Sequence, residues 1–415
     1  MDVDQDRLRC DIEANAEFGA IDSETGLGRT VLTGSEADRR ARERFVDRLV
    51  DAGLEVRVDA VGNIVGRWVP SGCDRNADPV ALGSHLDSVP RGGIFDGPLG
   101  TYGALEAVRA VQESAATPSR PLEVVCFTEE EGGRFGVGTL GSSVVVGERD
   151  PNDALALADG DGTTLREHLE RIGFNGEGSI DASTWDAWLE LHIEQGERLT
   201  DAGAGVGVVE SITGITNCEV EIEGEADHAG STPMYERRDA LAAASEFVLD
   251  LERAAEELAT VSSAAVGTAG SGGIEPNARN IVPERVRFQL DLRDVAHERM
   301  DRLVEDCRRS LARLERTREV DTTIDRYRDT PPTPLADRGI DAIVDAARAR
   351  DVDSVRLHSA AMHDTANVAR VTDGGLLFAP SEDGASHSPK EWTDWEDCAA
   401  ATGVLAEAAR SLAAR

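Results

Sequence analysis

The 415 residues are too many for one compact core and predict two domains. Hydrophobic residues make up 40% of the chain and aromatics 4%, so its cores are built mainly from Ala, Val, Leu and Ile; no run of 18 or more apolar residues occurs, which argues against a membrane span. Asp and Glu number 79 against 43 Lys and Arg, a formal charge of −36 that repels nucleic acid and anionic membranes.

Lys390 is the only lysine, so nearly all positive charge is arginine. Acidic residues are spread over the whole chain instead of forming one block that could dock a basic partner, and regular apolar periodicity rules out a disordered acidic chain. The remaining reading is adaptation to concentrated salt, where the Debye length shrinks to about 3 Å. The opening MDVDQDRLRC has neither the basic nor the apolar region of a signal peptide, so the expected compartment is the cytoplasm. Six scattered cysteines without a CxxC pair read as reduced thiols.

In chain order, Ser35 to Leu54 predicts an amphipathic helix capped by Ser35, with Arg and Asp on one face and Phe45, Leu49 and Val50 on the other. Leu54–Val58 and Asn63–Trp68 predict short strands, PVALG (79–83) a buried strand, Tyr102–Glu113 a helix and LEVVCF (122–127) a second buried strand. Apolar strands ending in polar turns and separated by helices imply a mostly parallel sheet covered on both faces, with working residues at the strands' carboxyl ends. Near residue 212 the texture changes. TNCEVEIEGE (216–225) and RVRFQLDLR (285–293) alternate like half-exposed antiparallel strands, with a helix over Arg238–Leu258 and a Gly-rich loop around Ala269–Gly273 between them. A helix over Ala296–Leu314 and a strand over Glu319–Tyr327 complete a β-α-β-β-α-β pattern. The expectation is an α/β domain over residues 1–211 and 330–415, with an α+β domain inserted at 212–329 and a return linker at Thr330–Pro334. From Gly339 the helix–strand pattern resumes, ending in the apolar strand GLLFAP (375–380).

Five stretches place metal-type ligands at turns: GSHLDS around His85 and Asp87, GGIFDG around Asp96, EEEGGRF from Glu129 to Phe135, LHIEQG around His192, and SHSPKE around His387. His85 and Asp87, two apart in an extended segment, point to the same side, so one can ligate a metal while the other orients it. Each stretch alone is weak evidence, and acidic runs are cheap in so acidic a chain. Jointly they are harder to dismiss: of eight histidines, three sit in such stretches beside a carboxylate. Mixed His and carboxylate donors suit Zn²⁺, Mn²⁺ or similar ions, and a carboxylate between two ions makes a two-metal hydrolytic site.

Together with ADHAGSTPM (226–234), EPNARNIVP (275–283), DLRD (291–294) and FAPSEDGASHSPKE (378–391), these motifs resemble the hydantoinase/carbamoylase branch of the M20 metallopeptidase-like hydrolases over nearly the whole chain. That branch includes N-carbamoyl-L-amino-acid hydrolase, allantoate amidohydrolase and β-ureidopropionase. LHIEQG with ADHAGSTPM sets it apart from the aminoacylase and carboxypeptidase branches.

The resemblance implies a zinc-exopeptidase-type catalytic domain with a ferredoxin-like lid and dimerisation domain, acting on a linear amide or carbamoyl C–N bond with two divalent ions (Zn²⁺ or Mn²⁺, with Co²⁺ or Ni²⁺ as substitutes). It implies His85 and His387 as terminal ligands, Glu131 and His192 as the remaining ones, and Asp96 as the bridge. Glu130 is implied as the general base, and Asp87 as the residue behind His85. His228 resembles the histidine that stabilises the oxyanion from the partner of a homodimer. Asn277 and Arg293 resemble the residues that hold the substrate's amide and carboxylate, with Gln195 a further substrate contact. His168 and His297 sit on ordinary polar helix patterns and receive no role.

One segment departs from the family. Its Ser-Gly-Ala-Gly-His-Asp-Ala pattern stands here as Ser359-Ala360-Ala361-Met362-His363-Asp364-Thr365, with methyl and thioether groups where backbone meets ligand. His363 persists beside Asp364 as a residue of the reshaped pocket. The reading is a small-molecule amidohydrolase, with an aminoacylase or peptidase on the same scaffold, or a non-catalytic metal-binding relative, as alternatives.

Overall fold

The computed structural model describes residues 1–115 and 117–414. The chain divides into two compact units: one of residues 1–210, 335–357 and 361–415, the other of residues 211–334 with 358–360. Among the described residues no helix is long and apolar enough to cross a membrane.

The first unit is built on a mixed sheet. Its main strands are β1 (Glu55–Val58), β2 (Ile64–Trp68), β3 (Val80–His85), β4 (Leu122–Phe127), β5 (Ala187–Ile193), β6 (Val206–Ile212) and, near the C-terminus, Gly374–Ala379. The last strand, β5, β3 and β4 run parallel as neighbours; β2 and β1 beyond β4, and β6 at the other side, are antiparallel. The central pairs of the sheet are thus parallel. Those four strands are buried along their whole length, which is why most of their residues are apolar, with Glu123, Glu190 and His192 among the buried exceptions. Register aligns His85 with Phe127 and Phe378 with His192, so the turns that follow all leave from one edge.

Helices flank this sheet. Ser35 caps the helix Glu36–Asp51 by accepting the Asp38 N–H at 3.1 Å. The expected division of its faces is not what forms. Val50 is exposed, whereas Asp38 and Arg42 are buried as an ion pair at 2.7 Å. Further bonds complete both groups: Asp38 accepts the Gly34 N–H, and Arg42 donates to the Gly62 carbonyl and the Thr128 hydroxyl. Such satisfaction is what lets a charged pair stay inside. A second helix begins at Pro98, earlier than the expected Tyr102, because Pro at its first turn has a preset φ and no N–H to satisfy. It starts from Gly97 at φ 81°, where a Cβ would lie 2.6 Å from the His85 ring.

The second unit contains β7 (Gly214–Glu223), β8 (Val266–Glu275), β9 (Arg285–Asp294) and β10 (Asp321–Thr330), with helices Ala240–Ala259 and His297–Arg318. The sheet order β8-β9-β7-β10, antiparallel throughout, with one helix after β7 and one after β9, is ferredoxin-like. Val220, Ile222, Phe247, Leu290, Leu303 and Leu311 pack between sheet and helices. The expected loop at Ala269–Gly273 is instead part of β8, with a bulge between Ala269 and Gly272. Its glycines hide the strand pattern, and as an edge strand it needs a partner on one side only.

All six cysteines are unpaired, and four of them are buried.

Candidate metal centre

The parallel strands deliver their ligands to one place. His85 ends β3, His192 lies one residue from the end of β5, and Glu130 and Glu131 follow β4 after Thr128 and Glu129. Asp96 sits in the loop before the Pro98 helix, and His387 in the loop beyond the last strand.

Asp96 is the hub. Its Oδ1 lies 3.5 Å from His85 Nε2 and 3.3 Å from His192 Nε2. Its Oδ2 lies 3.6 Å from His387 Nε2, which in turn is 3.3 Å from Glu131 Oε2. One carboxylate thus faces two separate donor groups, His85 with His192 and Glu131 with His387. Backbone carbonyls orient the two buried imidazoles. His85 donates Nδ1–H to the Asp87 carbonyl at 3.1 Å, and His192 donates Nδ1–H to the Ile193 carbonyl at 3.0 Å. A carbonyl only accepts, so each ring presents Nε2 to Asp96. His85 Nε2 is buried without a hydrogen-bond partner, the state of a nitrogen reserved for a ligand.

Donor type, sharing of one carboxylate by two groups, and the orphaned buried nitrogen all fit a pair of divalent cations. A third group, His297, Asp301 and Asp329, lies in the second unit. There the Arg326 guanidinium already bonds both carboxylates, so the resident cation is a side chain.

The electrostatics follow from burying many like charges. Burial, aided by the nearby His192 and Arg29 and opposed by Asp96, pushes the His85 imidazole down to about 3. Burial also acts against protonation of His192, but the Asp96 and Glu190 carboxylates and the Ile193 carbonyl together outweigh it and raise the ring to about 10. The hydrogen bond to Glu131 raises His387 to about 9. Asp96 is held well below the usual carboxylate range: burial opposes ionisation, and the three histidines overcome it. Burial raises Glu130 well above that range, reinforced by Asp364 and Glu131. Its Oε2 stands 3.7 Å from His85 Nε2. Asp87 braces this turn, one oxygen accepting the Glu130 N–H at 3.2 Å and the other the Glu131 N–H at 3.1 Å.

Other expected site residues fall in different places. Gln195 donates its amide to Asp96 Oδ2 at 3.0 Å, beside the Ser386 hydroxyl on the same oxygen at 2.6 Å. It therefore steadies the central carboxylate. His363 is buried with its ring edge-on to His192, centroids 4.6 Å apart. His228, Asn277 and Arg293 belong to the second unit. His228 is exposed, and its Nδ1 accepts the N–H groups of Gly230 and Ser231 at 3.0 and 3.1 Å, which places its proton on Nε2 as a free donor. Asn277 is exposed at φ 50°. Arg293 lies on β9, held by Asp291.

Two residues escaped the sequence reading. Glu391 accepts the N–H groups of Phe95 and Asp96, and its signal was its place four residues beyond His387. Glu190, two residues before His192 on β5, accepts from the Ser84 and Thr365 hydroxyls at 2.9 and 2.6 Å. His168, given no role, is buried and bonded through Nε2 to Asp159 at 2.7 Å.

Known proteins bear on this centre. The profile of peptidase family M20/M25/M40 matches residues 81–411. An N-carbamoyl-L-amino acid amidohydrolase of Geobacillus stearothermophilus is 37% identical over 393 residues, 94% of each chain. A ureidoglycolate hydrolase of Arabidopsis thaliana is 33% identical over 416 residues, 98% of this chain and 86% of that one. A solved amidase of the hydantoinase/carbamoylase family from Burkholderia multivorans superimposes with a TM-score of 0.93 at 32% identity, covering 100% and 99% of the two chains. Matched along almost its whole length, the chain belongs to peptidase family M20/M25/M40, in the hydantoinase/carbamoylase branch.

Proposed function

We propose that the protein is a two-metal amidohydrolase that cleaves a linear C–N bond of an N-carbamoyl-L-amino acid or a related ureide. The observation that carries this reading is Asp96, whose two oxygens face two separate His-containing donor groups with the Glu130 carboxylate alongside. His85, His192, Glu131, His387 and the shared Asp96 are the residues that would hold the ions. Divalent ions such as Zn²⁺ or Mn²⁺ supply Lewis-acid charge, polarising a carbonyl and acidifying water near neutral pH.

The chain's own groups do the rest. Glu130 takes the proton from the attacking water and delivers it to the departing nitrogen as the C–N bond breaks. Asp87 fixes the Glu130 backbone and orients His85, so base and ligand move together. His228, with its proton on Nε2, donates to the oxyanion in the site of the partner subunit of a homodimer. Arg293 and Asn277 bind the substrate's carboxylate and amide. The relatives' substrates, carbamoyl amino acid and ureidoglycolate, share a ureido group beside a carboxylate, the pattern these residues recognise.

The test is ammonia and amine release in high-salt buffer with added Mn²⁺ or Zn²⁺, over N-carbamoyl-L-amino acids, allantoate, β-ureidopropionate and N-acetyl amino acids. Turnover of a carbamoyl or ureide compound, abolished by chelator and by Glu130→Gln with metal content unchanged, is the expected result. Turnover of N-acetyl amino acids alone makes the protein an aminoacylase. Silence with no metal bound rejects the enzyme.

A further inference from the structure

Arg293 is not a free guanidinium waiting for a ligand. Asp291, two residues earlier and therefore on the same face of β9, accepts from its Nε at 2.7 Å and from its Nη2 at 3.1 Å. Its Nη1 donates to the Ala360 carbonyl at 2.7 Å. Asp291 is held in turn. Asn217 stands opposite it on β7 and reaches its Oδ2 at 3.4 Å, while also bonding the Leu290 carbonyl at 3.2 Å. All four residues belong to the second unit.

A guanidinium carries five N–H groups in a rigid plane. Asp291 and Ala360 occupy three of them and leave one on each terminal nitrogen. Two parallel N–H groups on adjacent nitrogens match the two oxygens of a carboxylate. We infer that Asp291 is a positioning residue for substrate recognition. It locks Arg293 side-on, so that the remaining edge of the guanidinium is presented to a substrate carboxylate before any substrate arrives. The Ala360 carbonyl sets the third point of the lock, and it lies in the segment where this chain replaces the glycine of its family. This inference rests on the reading of Arg293 as the carboxylate-binding residue.

Asp291 also acts in the opposite sense, because its charge repels a second carboxylate across the guanidinium. Both side chains are about one third exposed, so water and salt screen that repulsion across the width of the guanidinium. The loss of a fixed geometry is not screened. Orientation therefore wins, and removing Asp291 weakens substrate binding.

The experiment compares an N-carbamoyl-L-amino acid with its neutral carboxamide in the wild-type enzyme and in Asp291→Asn, Asp291→Ala and Arg293→Ala. The expected result for both Asp291 variants is a KM raised about tenfold for the carboxylate with kcat nearly unchanged, the mark of lost uniform binding. The carboxamide's kcat/KM stays at the wild-type value in both. A general structural defect instead lowers both substrates alike, and that outcome overturns the inference. So does a fall in KM, which makes repulsion the larger effect. A wild-type preference for the carboxylate that vanishes in Arg293→Ala but survives in Asp291→Asn rejects the positioning role alone. No preference in the wild type rejects the substrate reading and this inference with it.

Discussion

The buried Glu391 carboxylate accepts the backbone N–H of Asp96 at 3.0 Å, so the carboxylate at the hub of the candidate site is pinned by a residue 295 positions later. The same oxygen takes the Phe95 N–H at 2.7 Å, and there is no room for a side chain at Gly93 beneath it. Replacing Glu391 with Ala strands two buried donors, each costing about 1–3 kcal/mol. It also frees the loop that aims Asp96. We expect Glu391→Ala to lose metal affinity by about 10- to 100-fold, as removal of groups behind a ligand does. Equilibrium dialysis against Zn²⁺ measures it, and unchanged affinity would show that the loop holds itself.

His228 separates a homodimer with shared sites from a self-sufficient chain. Its Nε2–H is a donor with nothing of its own segment to serve. His228→Ala should lower kcat by about 10²–10³ with metal content intact, the usual cost of one oxyanion donor. If the partner subunit contributes it, mixing His228→Ala with Glu130→Gln and allowing subunits to exchange restores activity. Each mixed dimer then holds one complete site, and random pairing recovers about a quarter of wild-type turnover. Two inactive variants that stay inactive after verified exchange place His228 in its own chain's site.

The acid limb of stability should depend on a histidine outside the metal centre. The His168 hydrogen bond holds the Asp159 carboxyl down to about 2. A depressed carboxylate pKa stabilises the fold fully above its unfolded value near 4, and this contribution disappears as pH falls from about 4 towards 2. His168→Gln should thus melt earlier than wild type at pH 6, with the gap closing by pH 2. Thermal melts across that range decide it; a gap that widens in acid contradicts the assignment.

Much of the candidate centre was legible because side chains able to hold a metal stand in short stretches at or just beyond strand ends, and this chain has few histidines to distribute. His85, His192 and His387 could be read from apolar runs that stop at polar turns. What holds those ligands was harder to see. The Asp38–Arg42 pair followed the polar rule for a helix face, yet both are buried, since their partners come from Gly34, Gly62 and Thr128, which no local pattern reveals. The edge strand β8 was hidden by its glycines, because only pairing with β9 makes it a strand. Gln195 reaches Asp96, a contact set by tertiary geometry that its motif does not reveal.

Net charge makes the last prediction, and two effects compete in it. Salt weakens the many exposed Arg–carboxylate pairs, such as Arg39 with Glu36 and Arg348 with Asp345. Each of these contributes only about 0–1 kcal/mol. Salt also screens the mutual repulsion of a chain carrying −36, which acts between every pair of acidic residues within a Debye length. Raising KCl from 0.1 to 2 M shortens that length from about 10 Å to less than 3 Å, removing the long-range repulsion while adjacent ion pairs keep part of their attraction. Repulsion is the larger quantity, so the melting temperature should rise steadily with KCl. A melting temperature that falls instead would mean the local pairs dominate, and the acidic surface would then need a reason other than concentrated salt.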